Sequence, residues 1–522
     1  MRKSKQYDVI IIGGGITGAG TARDCALRGL RTLLVERNDI SDGATGRNHG
    51  LLHSGARYAV TDRESAAECI VENRIIRRIA SHCVEQTEGL FITLPEDDLS
   101  YIDNFIAKCG EAGIDTRRLD PREALKMEPS LNPALTGAVM VPDASVDPFR
   151  LCAANVLDAK LHGADILTHT EVSSLIFENG EVKGVRLRDL RSGENFEVRA
   201  FITVNAAGIW GQKIAEMAGA AIRMLPAKGS LLIFGHRVNN MVINRCRKPA
   251  NADILVPDDV VSVIGTTSDK IPFEECDDLK VTPREVEILL EEGCKLAPVL
   301  AHTRIIRAYA GVRPLVASDD DPTGRSTSRG IVLLDHQSRD GISGFISITG
   351  GKLTSYRLMG QMATDLICKK LGNNARCRTA QLPLPGSEKD TKADSRKTIA
   401  MNAAIGRHGL RTSQMPAEGR NEVLCECENV TRSEIAYAVK ELGVRDMEDL
   451  RRRTRVGMGT CQAAFCMKNV ASALACELGC PEKEEEFIRD YLAERWKGMV
   501  PVAWGETLRE MEYMRKMHAN EI

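Results

Sequence analysis

The sequence predicts an α/β chain built on a Rossmann-type dinucleotide-binding domain, with an interleaved α+β domain and a small helical four-cysteine domain at its C-terminal end. Three observations predict it. An apolar run leads into G-x-G-x-x-G and then an acidic residue near the N-terminus. Helical and strand-like blocks mix between about 75 and 155 and again between about 220 and 330. Two close cysteine pairs, Cys425-x-Cys427 and Cys461-x₄-Cys466, face each other across thirty-three residues.

Val9 to Ile12 form a continuous apolar run, as in a strand buried on both faces of a parallel sheet. Gly13, Gly15 and Gly18 follow. The first allows a tight turn, the second lets the backbone approach a pyrophosphate, and the third allows close helix–strand packing. The next helix turns its N-terminal N–H groups and positive dipole end toward the phosphates and ends near Gly29. A second strand, Thr32 to Val35, closes on Glu36, whose carboxylate can hold a ribose hydroxyl pair. That acid disfavours a 2′-phosphate and leaves NAD and FAD open.

Composition narrows the class. A prior of about 150 residues per domain gives three or so units for 522 residues. Lys plus Arg (70) nearly cancels Asp plus Glu (72), and aromatics are 4%, so nothing points to nucleic acid. No run of about 18 apolar residues is present. The N-terminal stretch lacks the apolar core of a secretory signal. The sixteen cysteines are therefore expected in a reducing cytoplasm, most of them as small buried hydrophobes.

Further segments carry a resemblance. Asp42 to Tyr58 (DGATGRNHGLLHSGARY) is a small, polar loop suited to a cofactor's phosphates and ring. Val204 to Trp210 (VNAAGIW) and Ile348 to Arg357 (ITGGKLTSYR) follow, the latter a strand, a glycine pair and a helix start. Gly311-Val-Arg-Pro-Leu315 sets Arg313 before a proline. In order over most of residues 7 to 375, these motifs resemble the FAD-dependent glycerol-3-phosphate dehydrogenases, within the glycine/D-amino-acid oxidase-like flavoproteins.

That resemblance implies FAD held by Gly13, Gly15, Gly18, Glu36, Arg37, Thr45, Gly46, Asn48, His49, Val172, Gly208, Gly350, Gly351, Lys352, Leu353 and Thr354. It implies hydride transfer from C2 of sn-glycerol 3-phosphate to the flavin, giving dihydroxyacetone phosphate. Arg57, Tyr58, Arg313 and Lys352 are the implied substrate contacts, and Arg313 with His53 the implied catalytic pair. Single-subunit members carry a histidine after Lys-Gly-Ser, whereas this chain has Lys228-Gly-Ser-Leu231. His53 is the first candidate for the base, against a role in packing or cofactor binding.

The expected organisation is an oxidoreductase body over about 1–380. Its FAD-binding segments cover about 1–75, 155–220 and 330–375, and its substrate domain about 76–154 and 221–329. Glu171–Ile176, Glu181–Leu187 and Phe196–Ala200 read as an antiparallel meander, with turns at Asn179-Gly180 and Ser192-Gly193. About 381–420 reads as a linker, 421–475 as the cysteine module and 476–522 as a tail.

Within the module, Thr431-Arg-Ser-Glu434 predicts a capping box, Met447 to Arg453 a short helix, and another helix begins near Cys461. The lone glycines of Val456-Gly-Met-Gly459 let a loop wrap a cluster. Cys425, Cys427, Cys461 and Cys466 resemble the bacterioferritin-associated-ferredoxin-like [2Fe–2S] module, although the second pair departs from its C-x₂-C. Zinc and free thiols are the alternatives. Arg451-Arg-Arg-Thr-Arg455 is either a solvated face or a set of charges that offset a cluster or dock an acidic partner.

The combined resemblance implies the catalytic subunit of a respiratory, anaerobic-type glycerol-3-phosphate dehydrogenase. Electrons would pass through the cluster to a second flavin-bearing protein, a membrane-anchoring iron–sulfur protein and quinone, on the inner face of the cytoplasmic membrane. The rival readings are an amine or opine oxidase of the same fold, or a flavoenzyme with a zinc-stabilised docking tail.

Overall fold

A computed structural model of the chain describes residues 6–317, 330–387 and 397–517. Parts of the expected interleaved domain (318–329), linker (388–396) and tail (518–522) lie outside the described residues.

The apolar run becomes the strand Gln6–Ile12, whose Val9, Ile10 and Ile11 have no exposed surface. It pairs in parallel with Thr32–Val35 on one side and Asn195–Asn205 on the other. Asp165–Leu167 extends the sheet beyond Thr32–Val35, and the hairpin Thr170–Glu178 and Glu181–Asp189 continues it past Asn195–Asn205. The meander's third strand, expected over 196–200, runs on to Asn205. Its second half is enclosed between Gln6–Ile12 and Phe345–Gly350. Gly13 turns the chain at φ +114°, and a Cβ on Gly18 would sit 1.9 Å from the Gly13 carbonyl oxygen. Strand and helix Ile16–Leu27 can approach this closely only with glycine at 18.

A second, nine-stranded sheet draws on residues 89–141 and 224–316. Its two longest strands, Met224–Phe234 and Ile305–Val316, pair antiparallel over their whole length. Helix Pro283–Leu296 backs this sheet with Val286, Leu289 and Leu296. The far end of the paired strands therefore projects Arg313 toward the first sheet, where it faces Gly350–Leu353 across a cavity.

The C-terminal region departs from expectation in several places. The stretch that reads as a linker contains helix Ile399–His408. Thr431 caps helix Arg432–Leu442 as expected, accepting from the Glu434 N–H at 3.2 Å, but Glu434 does not reach back. Its carboxylate is taken by Arg407, 2.7 Å from each oxygen, and by His408 at 2.8 Å. Met447–Thr454 is helical as expected, whereas the next helix starts at Met467 rather than near Cys461. Residues 461–465 instead form turns, with Gln462 and Ala463 at positive φ. Past 475, helix Glu484–Met499 adds Phe487, Ile488, Tyr491 and Leu492 to the core that contains Cys425 and Cys466. What reads as a tail completes the module because the module's own short helices leave that face uncovered.

Nor is the arginine run a solvated face. Arg453 forks onto Asp39 at 2.5 and 2.9 Å, and Arg452 reaches Asp42 at 2.7 Å and Asp39 at 3.2 Å. Arg455, buried in the left-handed region at φ +69°, meets Asp147, Asp258, Asp259 and Glu428 at 3.0–3.3 Å. The acidic partner is the chain's own body. Burial alone would raise Asp39, but Arg453 and Arg452 outweigh it and pull the carboxyl down to about 2. Arg407 and His408 likewise overcome burial at Glu434 and hold it at about 2.

Breaking this contact should be costly. Arg453→Ala leaves Asp39 buried without its fork, and a loss of about 3–5 kcal/mol is expected in denaturant unfolding. Both carboxylates are depressed below their ordinary values of 3.8 and 4.5. Their stabilisation is therefore complete above those values and lost as pH falls toward 2. Stability should fall through that window, and more shallowly in Arg453→Ala.

Candidate flavin cavity and four-thiol site

A cavity of about 370 Å³ opens from the glycine turn and runs between the two sheets. It is lined by Gly13, Gly15, Glu36 and Arg37, by Thr45, Asn48, His49, Val172 and Gly208, and by Gly350, Gly351, Lys352 and Leu353. The Glu36 carboxylate ends strand Thr32–Val35 and accepts from the Gly14 N–H at 2.6 Å and the Asn38 N–H at 2.8 Å. Burial raises it, against those two hydrogen bonds. Arg37 lies 5.2 Å over the Trp210 ring and pairs with Asp277 at 2.9 Å, which also accepts from Trp210 Nε1. Trp210 ends the Val204–Trp210 motif, whereas Asp277 carries no signal in the sequence, because contacts across separate segments leave no spacing to read.

Several expected contacts also build the frame of the cavity. Thr45 Oγ1 accepts from the Ile16 N–H at 2.9 Å, so it caps the dinucleotide helix. Asn48 shapes its loop, donating to the Thr45 carbonyl at 2.6 Å, while its own carbonyl accepts from the Tyr309 hydroxyl at 2.8 Å. Gly46 lines a smaller neighbouring cavity instead of this one, and a Cβ there would strike the Ser41 carbonyl oxygen at 2.3 Å. Thr354 is buried and accepts from the His53 N–H at 3.2 Å. The helix expected straight after the glycine pair begins only at Tyr356, after a turn over Lys352–Ser355.

His53, Tyr58, Lys352 and Arg313 line the same cavity. The His53 ring centre is 5.4 Å from that of Tyr58 and 6.0 Å from that of His49. Lys352 Nζ lies 4.8 Å over the Tyr58 ring, which holds the ammonium by a cation–π contact. Arg57 is not brought to this wall: its guanidinium turns to Asp253 at 3.4 Å and the Ala250 carbonyl at 3.2 Å. Leu231 is buried and does not line the cavity either.

The four thiols converge. Cys425 and Cys427 sulfurs are 3.8 Å apart, Cys427 and Cys461 3.6 Å, and Cys466 lies against Cys425. The Gly457 N–H points at Cys425, and those of Ala463 and Phe465 at Cys461. Only glycine fits at 459, where a Cβ would be 2.6 Å from the Cys427 sulfur. The Cys425 thiol and then burial push Cys427 up to about 11, and Cys427 holds Cys461 well above the ordinary thiol range. Four thiols gathered in this way are the donor set of a four-thiolate iron–sulfur centre.

A smaller cavity, about 180 Å³, lies between body and module. The Gly46–Gly50 loop forms one wall, and Arg451, Arg455, Met458 and Gln462 another. Among the other twelve cysteines, Cys25, Cys69, Cys83, Cys109, Cys152, Cys246, Cys276 and Cys368 are buried free thiols, as small hydrophobes should be.

Comparison with known proteins agrees with both sites. The family described as FAD dependent oxidoreductase matches residues 8–357, and the BFD-like [2Fe-2S] binding domain matches 423–475. An anaerobic glycerol-3-phosphate dehydrogenase subunit of Escherichia coli K12 is 61% identical over 98% of this chain and 96% of its own length. The protein of the same name from Haemophilus influenzae is 57% identical over 99% of this chain and 93% of its own length. Among solved structures, a glycerol-3-phosphate dehydrogenase from Bacillus halodurans complexed with FAD covers 95% of both chains with a TM-score of 0.71 at 22% identity, a likeness of fold. A glycine oxidase from Bacillus cereus covers 70% of this chain and 96% of its own, with a TM-score of 0.56 at 25% identity. A flavin-type cavity and a four-thiol module on one chain, with this identity over nearly its full length, place the protein in the FAD-dependent oxidoreductases and, within them, in the family of these anaerobic glycerol-3-phosphate dehydrogenase subunits.

Proposed function

We propose that this chain oxidises sn-glycerol 3-phosphate to dihydroxyacetone phosphate as the catalytic subunit of a respiratory, anaerobic-type dehydrogenase. The observation that carries the reading is the continuity of one cavity from the Gly13 turn to the cluster of His53, Tyr58, Lys352 and Arg313. Gly13, Gly15 and Glu36 would hold FAD, which would supply the acceptor for the C2 hydride, and Cys425, Cys427, Cys461 and Cys466 would hold a [2Fe–2S] cluster as a one-electron outlet. Lys352 and Arg313 supply the positive charge that a phosphate dianion requires. Tyr58 holds the Lys352 ammonium in place, and His53 takes the proton of the C2 hydroxyl.

Onward transfer needs other proteins. Among the described residues no helix is long and apolar enough to cross a membrane. Two partner subunits, one carrying flavin and one an iron–sulfur membrane anchor, would complete the route to quinone, holding this chain on the inner face of the cytoplasmic membrane.

In a dye-linked assay, Lys352→Ala should lose about 10- to 100-fold in kcat/KM for glycerol 3-phosphate, mainly through KM, as loss of a charged contact implies. His53→Asn should lower kcat by about 100-fold with little change in KM. Activity with an amino or imino acid, and none with glycerol 3-phosphate, would overturn the assignment. Cys461→Ser should lose iron and labile sulfide while substrate still bleaches the flavin. Transfer to quinone in the assembled complex should stop, and its survival would sink the relay.

A further inference from the structure

The Lys228-Gly229-Ser230 element supplies no base in this chain, because Leu231 follows it, and its surroundings indicate a different task. Ala227 is the cross-strand partner of Arg313, and Gly229 that of Gly311. Side chains alternate along a strand, so Ala227, Gly229 and Arg313 share one face and Lys228 and Ser230 the other. On that other face, Lys228 Nζ donates to Glu285 at 2.9 Å and to the Lys280 carbonyl at 2.6 Å, and Ser230 Oγ donates to Glu285 at 2.7 Å. Thr267 Oγ1 accepts from the Ser230 N–H at 3.0 Å. Glu285, at the start of helix Pro283–Leu296, thus pins the strand from behind.

The near face is shaped around one guanidinium. Arg313 Nη2 donates to the Thr267 carbonyl at 3.0 Å and to Thr266 Oγ1, while Nη1 lies 3.5 Å from the carbonyls of Ala227 and Lys228. A Cβ on residue 229 would stand 2.7 Å from Arg313 Nη2 and 3.0 Å from the Thr267 carbonyl oxygen. The space above Gly229 is the space that the guanidinium occupies.

We propose that Gly229 and Thr266 are positioning residues for the dehydrogenase reaction, forming a cradle that fixes the Arg313 guanidinium toward the substrate phosphate. This rests on reading Arg313 as a substrate cation. Gly229 acts by leaving room, Thr266 by accepting a hydrogen bond, and Glu285 by holding the cradle's strand. A methyl group at 229 meets the movable end of a side chain first, so the chain can fold with Arg313 displaced.

The test uses the flavin-loaded full-length chain and a dye acceptor. Gly229→Ala should raise KM for glycerol 3-phosphate about tenfold, with flavin content and kcat within about twofold of the parent. Thr266→Val should raise KM several-fold, and Thr266→Ser should restore it. In an Arg313→Ala background, Gly229→Ala should add nothing, since coupled residues do not act additively. An unchanged KM in Gly229→Ala, or an equal further rise in the Arg313→Ala background, would overturn the proposal. Should Arg313→Ala itself leave KM unchanged, the substrate-cation reading fails first and takes the cradle's purpose with it. Where Gly229→Ala loses flavin, the Thr266 pair decides alone: equal KM values for valine and serine would overturn it.

Discussion

The structure depends on a buried ionic contact between Arg452, Arg453 and Arg455 of the cysteine module and Asp39, Asp42, Asp147 and Asp258 of the flavin body. Desolvating several charges is expensive, so such a contact persists only when each is paired and hydrogen-bonded. Here the pairing is dense: Arg453 forks onto one carboxylate and Arg455 draws on four. Charge complementarity of this kind sets register more than affinity. The result is a module seated in one orientation rather than tethered.

That seating gives the two sites a common wall. Asp39 and Asp42 belong to the loop that follows Glu36, and Asp147 caps the helix Pro148–Leu161 behind it. Glu428, next to Cys427, is held by the same Arg455 that reaches Asp147 and Asp258. Arg304 adds a second tie, joining the Thr460 carbonyl at 2.9 Å to Glu510 at 2.7 Å. One set of side chains therefore touches the flavin loop, the substrate sheet and the cluster loop. The four-thiol module is thus tied by side chains directly to the loop that borders the flavin-type cavity.

Local features were legible in the sequence. The strand and glycine turn over 9–18, the meander's turns and the four thiols are each written in adjacent residues, where period and spacing carry the information. What lay hidden is made by distant segments. Arg451–Arg455 could not be told from a solvated face, since its partners stand some 200–400 positions earlier in the chain. Glu434 looked like the second arm of a capping box until Arg407, from an apparent linker, claimed it. Arg57 sits in the same motif as Tyr58, yet Asp253 draws it away from the cavity. The two arginines of the substrate group differ in tertiary surroundings, which a motif does not encode.

The most direct test of a shared flavin–cluster site is anaerobic addition of glycerol 3-phosphate to the purified chain carrying both cofactors, without partner proteins. Flavin absorbance and the paramagnetic signal of the reduced cluster are followed together. Bleaching of the flavin accompanied by the cluster signal, and loss of that signal but not of bleaching in Arg455→Ala, is the predicted result. A flavin that bleaches while the cluster stays oxidised, although dithionite can reduce it, would contradict the account.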